Sequence, residues 1–210
     1  MNRMTRKALG GLTALTMLFA GTSAIVPAYL ENAELTAAAS YDDYDNGVEG
    51  AVKYRKYDDH IVISGLAKAT EDLVIPSEIE GLPVTEIKEE AFCNNGNLKS
   101  VTIPDSVTDM GGAFYECESL KKVVIGKGVG AIGTSTFGYC KSLTDIEFGE
   151  SVKRIEWLAF DDCPSLEKVT LPEGLEYLDP KAFARCDNLR YNIYKGARYL
   201  GSTANDYEYL

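Results

Sequence analysis

The chain has 210 residues, 45% of them hydrophobic and 25% charged, proportions that are ordinary for a globular protein and exclude disorder of the whole. Its 32 acidic residues outnumber 21 basic ones, for a formal net charge of −11. Nucleic acid and anionic membranes repel such a chain, because holding phosphate depends on Lys and Arg, so neither is expected as a partner.

Residues 1–39 read as a secretory signal peptide. Arg3, Arg6 and Lys7 form a basic start, and residues 8–30 carry no charge. Gly and Thr interrupt the apolar run, which favours a cleaved leader over a retained anchor; both Ala28 and Ala39 offer the small residues that cleavage needs. Cleavage after Ala39 removes three basic and two acidic residues, moving the net charge from −11 to −12. No membrane association is expected after cleavage, and no Cys before Cys93 is available for lipid attachment.

Residues 40–50 are expected to form a solvated acidic linker. Asp42, Asp43, Asp45 and Asn46 ahead of Gly47 suggest a calcium loop, but Tyr44 and Lys53 occupy its third and twelfth ligand positions, so no metal is expected there. Residues 51–72 predict a β-hairpin that caps the N-terminal end. Val52 and Tyr54 alternate on one side of Asp58-Asp59, and an apolar run from Ile61 to Ile63 follows on the other.

From residue 73 to 195 the sequence repeats itself. Phe92, Phe114, Phe137, Phe160 and Phe183 recur at spacings of 22, 23, 23 and 23. Six residues after each comes a Leu: Leu98, Leu120, Leu143, Leu166 and Leu189. Three residues after all but the first stands a Cys: Cys117, Cys140, Cys163 and Cys186. A period in the twenties is the mark of a solenoid, whose units bury their apolar side only by stacking on neighbours. Within a unit, Leu166, Val169 and Leu171 follow the spacing of a leucine-rich repeat strand, Pro172 ends that strand, and Leu175 and Leu178 precede the Phe. The segment before the Phe is predicted to make a short helical turn along the back of the core. The copy at Gly111-Gly112 is one residue shorter, which two glycines permit.

These columns, running LxxLxLPxxLxxIxxxAFxxCxx from Leu73 to Tyr194, resemble the BspA-like, treponemal class of bacterial leucine-rich repeats. The resemblance implies a leucine-rich repeat solenoid of right-handed β/α coils with short parallel ladder strands. It also implies relatives among surface antigens and adhesins. Residues 196–210 resemble the closing segment of that family and are expected to form a C-terminal cap; Tyr191, Tyr194, Tyr199, Tyr207 and Tyr209 concentrate aromatic area there.

Little in the chain points to catalysis. His60, the one histidine, falls beside a predicted turn with no nucleophile assembled around it. The glycines around Gly126 lie on the repeat frame and lack the Lys and Ser or Thr of a phosphate loop. Four Cys in one column are expected to stack in the core at about 4.8 Å as reduced thiols, since parallel side chains disfavour the disulfide dihedral of about 90°. No cofactor and no metal are expected.

Two surfaces are candidates for binding. On the ladder strands, Lys122, Asp145, Glu147 and Lys168 point outward side by side. On the opposite side, Trp157 and Leu158 break columns otherwise held by Glu89, Gly111, Thr134 and Pro180 and by Glu90, Ser135 and Lys181. The expected function is a secreted, non-catalytic module that binds an extracellular protein or glycan. The alternatives are a structural spacer without a ligand and, behind it, an extracellular hydrolase built on carboxylates.

Overall fold

The structure is a computed structural model that describes residues 44–189, 192–194, 197–200 and 208–209. The leader, both cleavage positions and the tyrosine side chains of the C-terminal segment lie outside the described residues. Three short strands open the chain: β1 (Asp45–Glu49), β2 (Val52–Lys56) and β3 (Ile61–Leu66). β1 and β3 both pair antiparallel with β2, and β3 then pairs in parallel with β6 (Leu82–Ile87), to which β5 (Glu78–Ile79) is joined as a hairpin.

One expectation fails here. Asp45–Glu49 is not linker but the edge strand β1, with Gly47 directly opposite Tyr54. Its side chains are almost all exposed, so no apolar alternation marks it in the sequence. The predicted hairpin is present as β2 and β3, and Val52, Tyr54, Ile61 and Ile63 belong to the same apolar core as the repeats.

The repeats wind into a solenoid of about five turns with parallel strands. On one side β4 (Asp72–Val74), β7 (Ser100–Thr102), β8 (Lys122–Val124) and β10 (Asp145–Glu147) form a parallel ladder in strict register, Asp72 beside Ser100, Ser100 beside Lys122 and Lys122 beside Asp145. Each strand sends its middle residue inward. Leu73, Val101, Val123 and Ile146 are buried, and so are Ile75, Ile103 and Ile125 two positions further on. Pro76 and Pro104 then end their strands because proline has no N–H to give the ladder.

A second parallel ladder lines the other side of the core. It joins β9 (Ala131–Ile132), β11 (Arg154–Ile155) and β13 (Tyr177–Leu178). The C-terminal strands β12 (Val169–Thr170) and β14 (Asn192–Tyr194) pair in parallel, after which β15 (Ala197–Leu200) and β16 (Glu208–Tyr209) reverse to antiparallel.

The predicted helical turn beside each Phe is not a helix, and none occurs among the described residues. Residues two places after the Phe take the left-handed conformation, as Asn94, Glu116, Tyr139, Asp162 and Arg185 show with φ of 52–59°. Residues two places before it do the same in three copies: Glu90, Ser135 and Leu158. A left-handed residue on both sides stops helix propagation. The backbone N–H groups then turn toward the next coil. Phe92 donates to the carbonyl of Ala113 at 2.9 Å, Phe114 to Thr136 at 3.1 Å, Phe137 to Ala159 at 2.8 Å and Phe160 to Ala182 at 2.7 Å. In the short copy it is Gly111 that goes left-handed, at φ 37°.

Inside, the five Phe rings form one continuous stack, with centroids 4.9–5.4 Å apart from each ring to the next. Beside it runs the cysteine column. All five cysteines are free thiols, and Cys117, Cys140, Cys163 and Cys186 are buried while Cys93 is half-exposed. Each buried thiol donates to the carbonyl of the Phe one coil back: Cys117 to Phe92 at 3.1 Å, Cys140 to Phe114 at 3.4 Å and Cys186 to Phe160 at 3.1 Å.

Candidate binding surface

Strict register on the ladder brings outward residues of successive coils side by side, because strands of a sheet lie about 4.8 Å apart. Ser100 donates to Asp72 Oδ1 at 2.6 Å. In the next two coils Lys122 Nζ lies 2.5 Å from Glu147 Oε1 and 3.2 Å from Asp145 Oδ2. The hydrogen bond to Glu147 first, then that to Asp145, raises the pKa of the Lys122 ammonium. Three of the four residues expected on this face therefore meet directly. Lys168 is exposed immediately before β12, one coil on, and enters none of the ion pairs among the described residues.

The other candidate pair is on the opposite side, just past β11. Trp157 is 49% exposed, and its carbonyl accepts the N–H of Ser135 at 3.2 Å. Leu158 is half-buried with φ 55°, a conformation that costs a branched residue backbone strain. Nearby on β11, Arg154 stacks over the Tyr177 ring at 4.5 Å and pairs with Glu156 at 2.8 Å. The ladder residues and the Trp157 pair cannot form one site, since the coil core separates them.

Sequence columns did not flag the corner between the Phe stack and the surface. Asp161 is only 4% exposed; Arg185, one coil later, binds its Oδ2 and also donates to the Tyr139 hydroxyl at 2.7 Å. Asp161 Oδ1 has no hydrogen-bond partner among the described residues. Burial pushes the Asp161 carboxyl above its usual range, and the adjacent guanidinium pulls the other way. The signal was readable in principle: Asp161 follows Phe160 by one residue and Arg185 follows Phe183 by two, so the repeat frame places them on adjacent coils.

His60 lies at the end of the β2–β3 hairpin, stacked on Tyr57 at 4.6 Å, with Nδ1 2.7 Å from Asp59 Oδ1. A histidine oriented by a carboxylate is half of a nucleophile-activating arrangement, but no Ser or Cys contacts the ring among the described residues. No three His, Cys, Asp or Glu side chains converge on a metal position among the described residues.

The repeat architecture is shared with known proteins. A family model for the BspA type leucine rich repeat region matches residues 70–190 in six copies. A leucine-rich repeat protein from Bacteroides ovatus is 28% identical, with a TM-score of 0.63 over 70% of this chain and 40% of its own. A leucine rich cell surface protein from Faecalibacterium prausnitzii is 23% identical over 78% of this chain and 60% of its own, with a TM-score of 0.38. The leucine rich repeat protein of T. pallidum is 27% identical over 71% of this chain and 78% of its own, with a TM-score of 0.49. This chain thus spans less than two thirds of the first two. No curated protein matches it. Because the six matched copies cover the stretch in which the Phe, Leu and Cys columns build the coils, the chain belongs to the BspA-type leucine-rich repeat family.

Proposed function

We propose that the chain is a non-catalytic binding module, exported from a bacterium, that holds an extracellular protein or glycan on the ladder face of its solenoid. The observation that carries this reading is the register of β7, β8 and β10, which sets Lys122, Asp145 and Glu147 on one surface. Export rests on the basic and then uncharged N-terminal segment. Absence of catalysis rests on the one histidine, which contacts no Ser or Cys among the described residues, and on the repeat family. We take the coils as right-handed, the hand that crossovers between parallel strands adopt. The β1–β3 sheet is assigned as the cap of the first coil, since its apolar residues join the repeat core.

The reading is tested by capture of host-matrix and cell-wall components on the immobilised protein, followed by two variants that circular dichroism shows to be folded. One reverses Lys122, Asp145 and Lys168; the other changes Trp157 and Leu158 to Ser. Capture lost only in the first supports the ladder face. Capture lost only in the second moves the site to the Trp157 side. No specific capture at all favours a spacer role, the second reading.

A further inference from the structure

Where the ladder strands end, the coils differ in one position. Pro76, Pro104 and Pro172 close three of them, but Gly126 and Gly149 stand there in the two between. Neither can be replaced by a residue with a side chain. A Cβ on Gly126 would sit 2.4 Å from the Pro104 carbonyl, and one on Gly149 would sit 2.3 Å from the carbonyl of Gly126. The two buried glycines let consecutive coils pack backbone against backbone at this corner, and an open groove of about 440 Å³ runs beside it, lined also by the outward side chains of Thr102, Val124 and Glu147.

The groove has an apolar floor and a charged rim. In the inward column that holds Ile103 and Ile125, the third coil carries Phe148, which is only partly buried and meets Phe160 edge-on at 6.0 Å. Part of an aromatic ring is thus left facing the groove. On the rim, Lys127 pairs with Glu150 at 2.6 Å, and its backbone N–H is accepted by Asp105 Oδ1 at 2.8 Å. Glu147 shares Lys122 with Asp145. Two lysines thus face four carboxylates, and the Asp105 carboxylate enters no ion pair among the described residues. Both pairings are between largely exposed side chains, which water and salt already weaken and which an arriving cation exchanges at little cost.

We propose that this groove takes an extended peptide segment bearing arginine or lysine, an inference that rests on the binding-module reading above. An extended segment lies along the groove, over the outward side chains of Thr102 and Val124. One apolar residue of the segment covers Phe148, and its cationic neighbours, flanking that residue, reach Asp105, Glu147 and Glu150. Arginine suits the rim best, because its planar fork binds a carboxylate with two parallel hydrogen bonds. The net negative rim rejects an acidic segment and gives a neutral sugar no charge to pair.

The test uses the whole protein and two fluorescein-labelled heptapeptides, Gly-Val-Arg-Val-Arg-Val-Gly and its counterpart with Glu for both Arg. A triple variant, Asp105→Asn, Glu147→Gln and Glu150→Gln, keeps every side chain's size and leaves Asn an oxygen for the Lys127 N–H. Fluorescence anisotropy is expected to show binding of the Arg peptide alone, weakened at least tenfold in the triple variant and falling as salt shortens the screening length from about 10 Å at 0.1 M. Backbone NMR shifts are expected at Gly126, Lys127 and Gly149. Equal binding of the two peptides, undiminished binding to the triple variant, or displacement of the Arg peptide by a neutral cello-oligosaccharide overturns the inference. So does no anisotropy change at millimolar peptide. If components captured from matrix or cell wall are still held by the triple variant, the groove assignment falls while the binding module stands; if nothing is captured either, both fall.

Discussion

Cys163 donates its S–H to the backbone carbonyl of Phe137, 3.2 Å away in the preceding coil. The same link recurs along the column, so each thiol gives a buried carbonyl a hydrogen bond that a disulfide would remove. Alkylation of the folded protein is expected to label Cys93 alone, and denaturation is expected to expose the other four. Mass spectrometry that finds intact bridges within the column would refute this.

The same burial makes stability depend on alkaline pH. It pushes the Cys117 thiol from an ordinary value of 9.0 up to about 12, and drives Cys140 and Cys163 well upward. A group whose folded pKa is raised stabilises the fold fully below its unfolded pKa and loses that contribution as pH climbs toward the folded value. The melting temperature is therefore expected to fall from about pH 9 toward pH 12. The fall should be shallower in a Cys117→Ala, Cys140→Ala variant; parallel curves for the two proteins would show that the thiols are not responsible.

Phe160 touches rings on three sides: Phe137, Phe183 and, edge-on, Phe148. Phe160→Ala is expected to cost roughly 3–5 kcal/mol, a large part of a domain's total stability. Glu147 is exposed on the ladder face, and Glu147→Ala is expected to cost less than about 1 kcal/mol. Urea melts of the two variants check the contrast, and equal midpoints would contradict the inward assignment of Phe160.

Arg185 is the cation beside an aspartate that is almost wholly buried. Removing it as Arg185→Ala leaves the Asp161 charge uncompensated. The cost at pH 7 is expected to be about 2 kcal/mol, less than for a fully buried pair because half of the guanidinium side chain faces water. Burial raises the folded pKa of Asp161 above its ordinary 3.8, so the protonated form is the one the fold favours and the penalty shrinks as pH drops through that range. Chemical melts at pH 7 and pH 3 check this, with the larger loss expected at pH 7.

Leu158 holds a left-handed backbone where Glu90 and Ser135 stand in other coils. Asn tolerates that conformation better than Leu. Leu158→Asn is expected to leave the melting temperature unchanged or raise it, whereas Leu143→Asn, at a fully buried position, is expected to lower it steeply. A drop at Leu158 as large as at Leu143 would mean that its side chain packs more than its half-exposure suggests.

The Phe, Leu and Cys columns were legible because each is one residue type recurring at one interval, and burial at every coil enforces it. β1 was not, because Asp45, Asn46 and Glu49 lie on an exposed edge where nothing selects apolar residues. The turns beside each Phe were misread as helical because left-handed residues there are Asn, Glu, Tyr, Asp and Arg rather than the glycines that usually announce them. Of the proposed site, Lys122, Asp145 and Glu147 could be placed together from register alone. The groove could not, since it depends on how closely Gly126 approaches the Pro104 backbone, which no periodicity reveals.

The row of bonds from each Phe N–H to a carbonyl of the next coil has an electrical meaning. The peptide units before Phe114, Phe137 and Phe160 each accept from the coil behind and donate to the coil ahead, so they point the same way along the axis. A peptide unit carries a dipole of about 3.5 D, and aligned units add and polarise one another. A second row runs alongside, from Asn94, Glu116, Tyr139 and Asp162 to the carbonyls of Tyr115, Gly138, Asp161 and Ala184. Together they give this side of the solenoid a directed field without any helix, positive toward the C-terminal coil and negative toward the first. The two ends are therefore unlike electrically as well as in sequence. A second molecule stacked head to tail would extend the field, and one stacked with like ends together would oppose it.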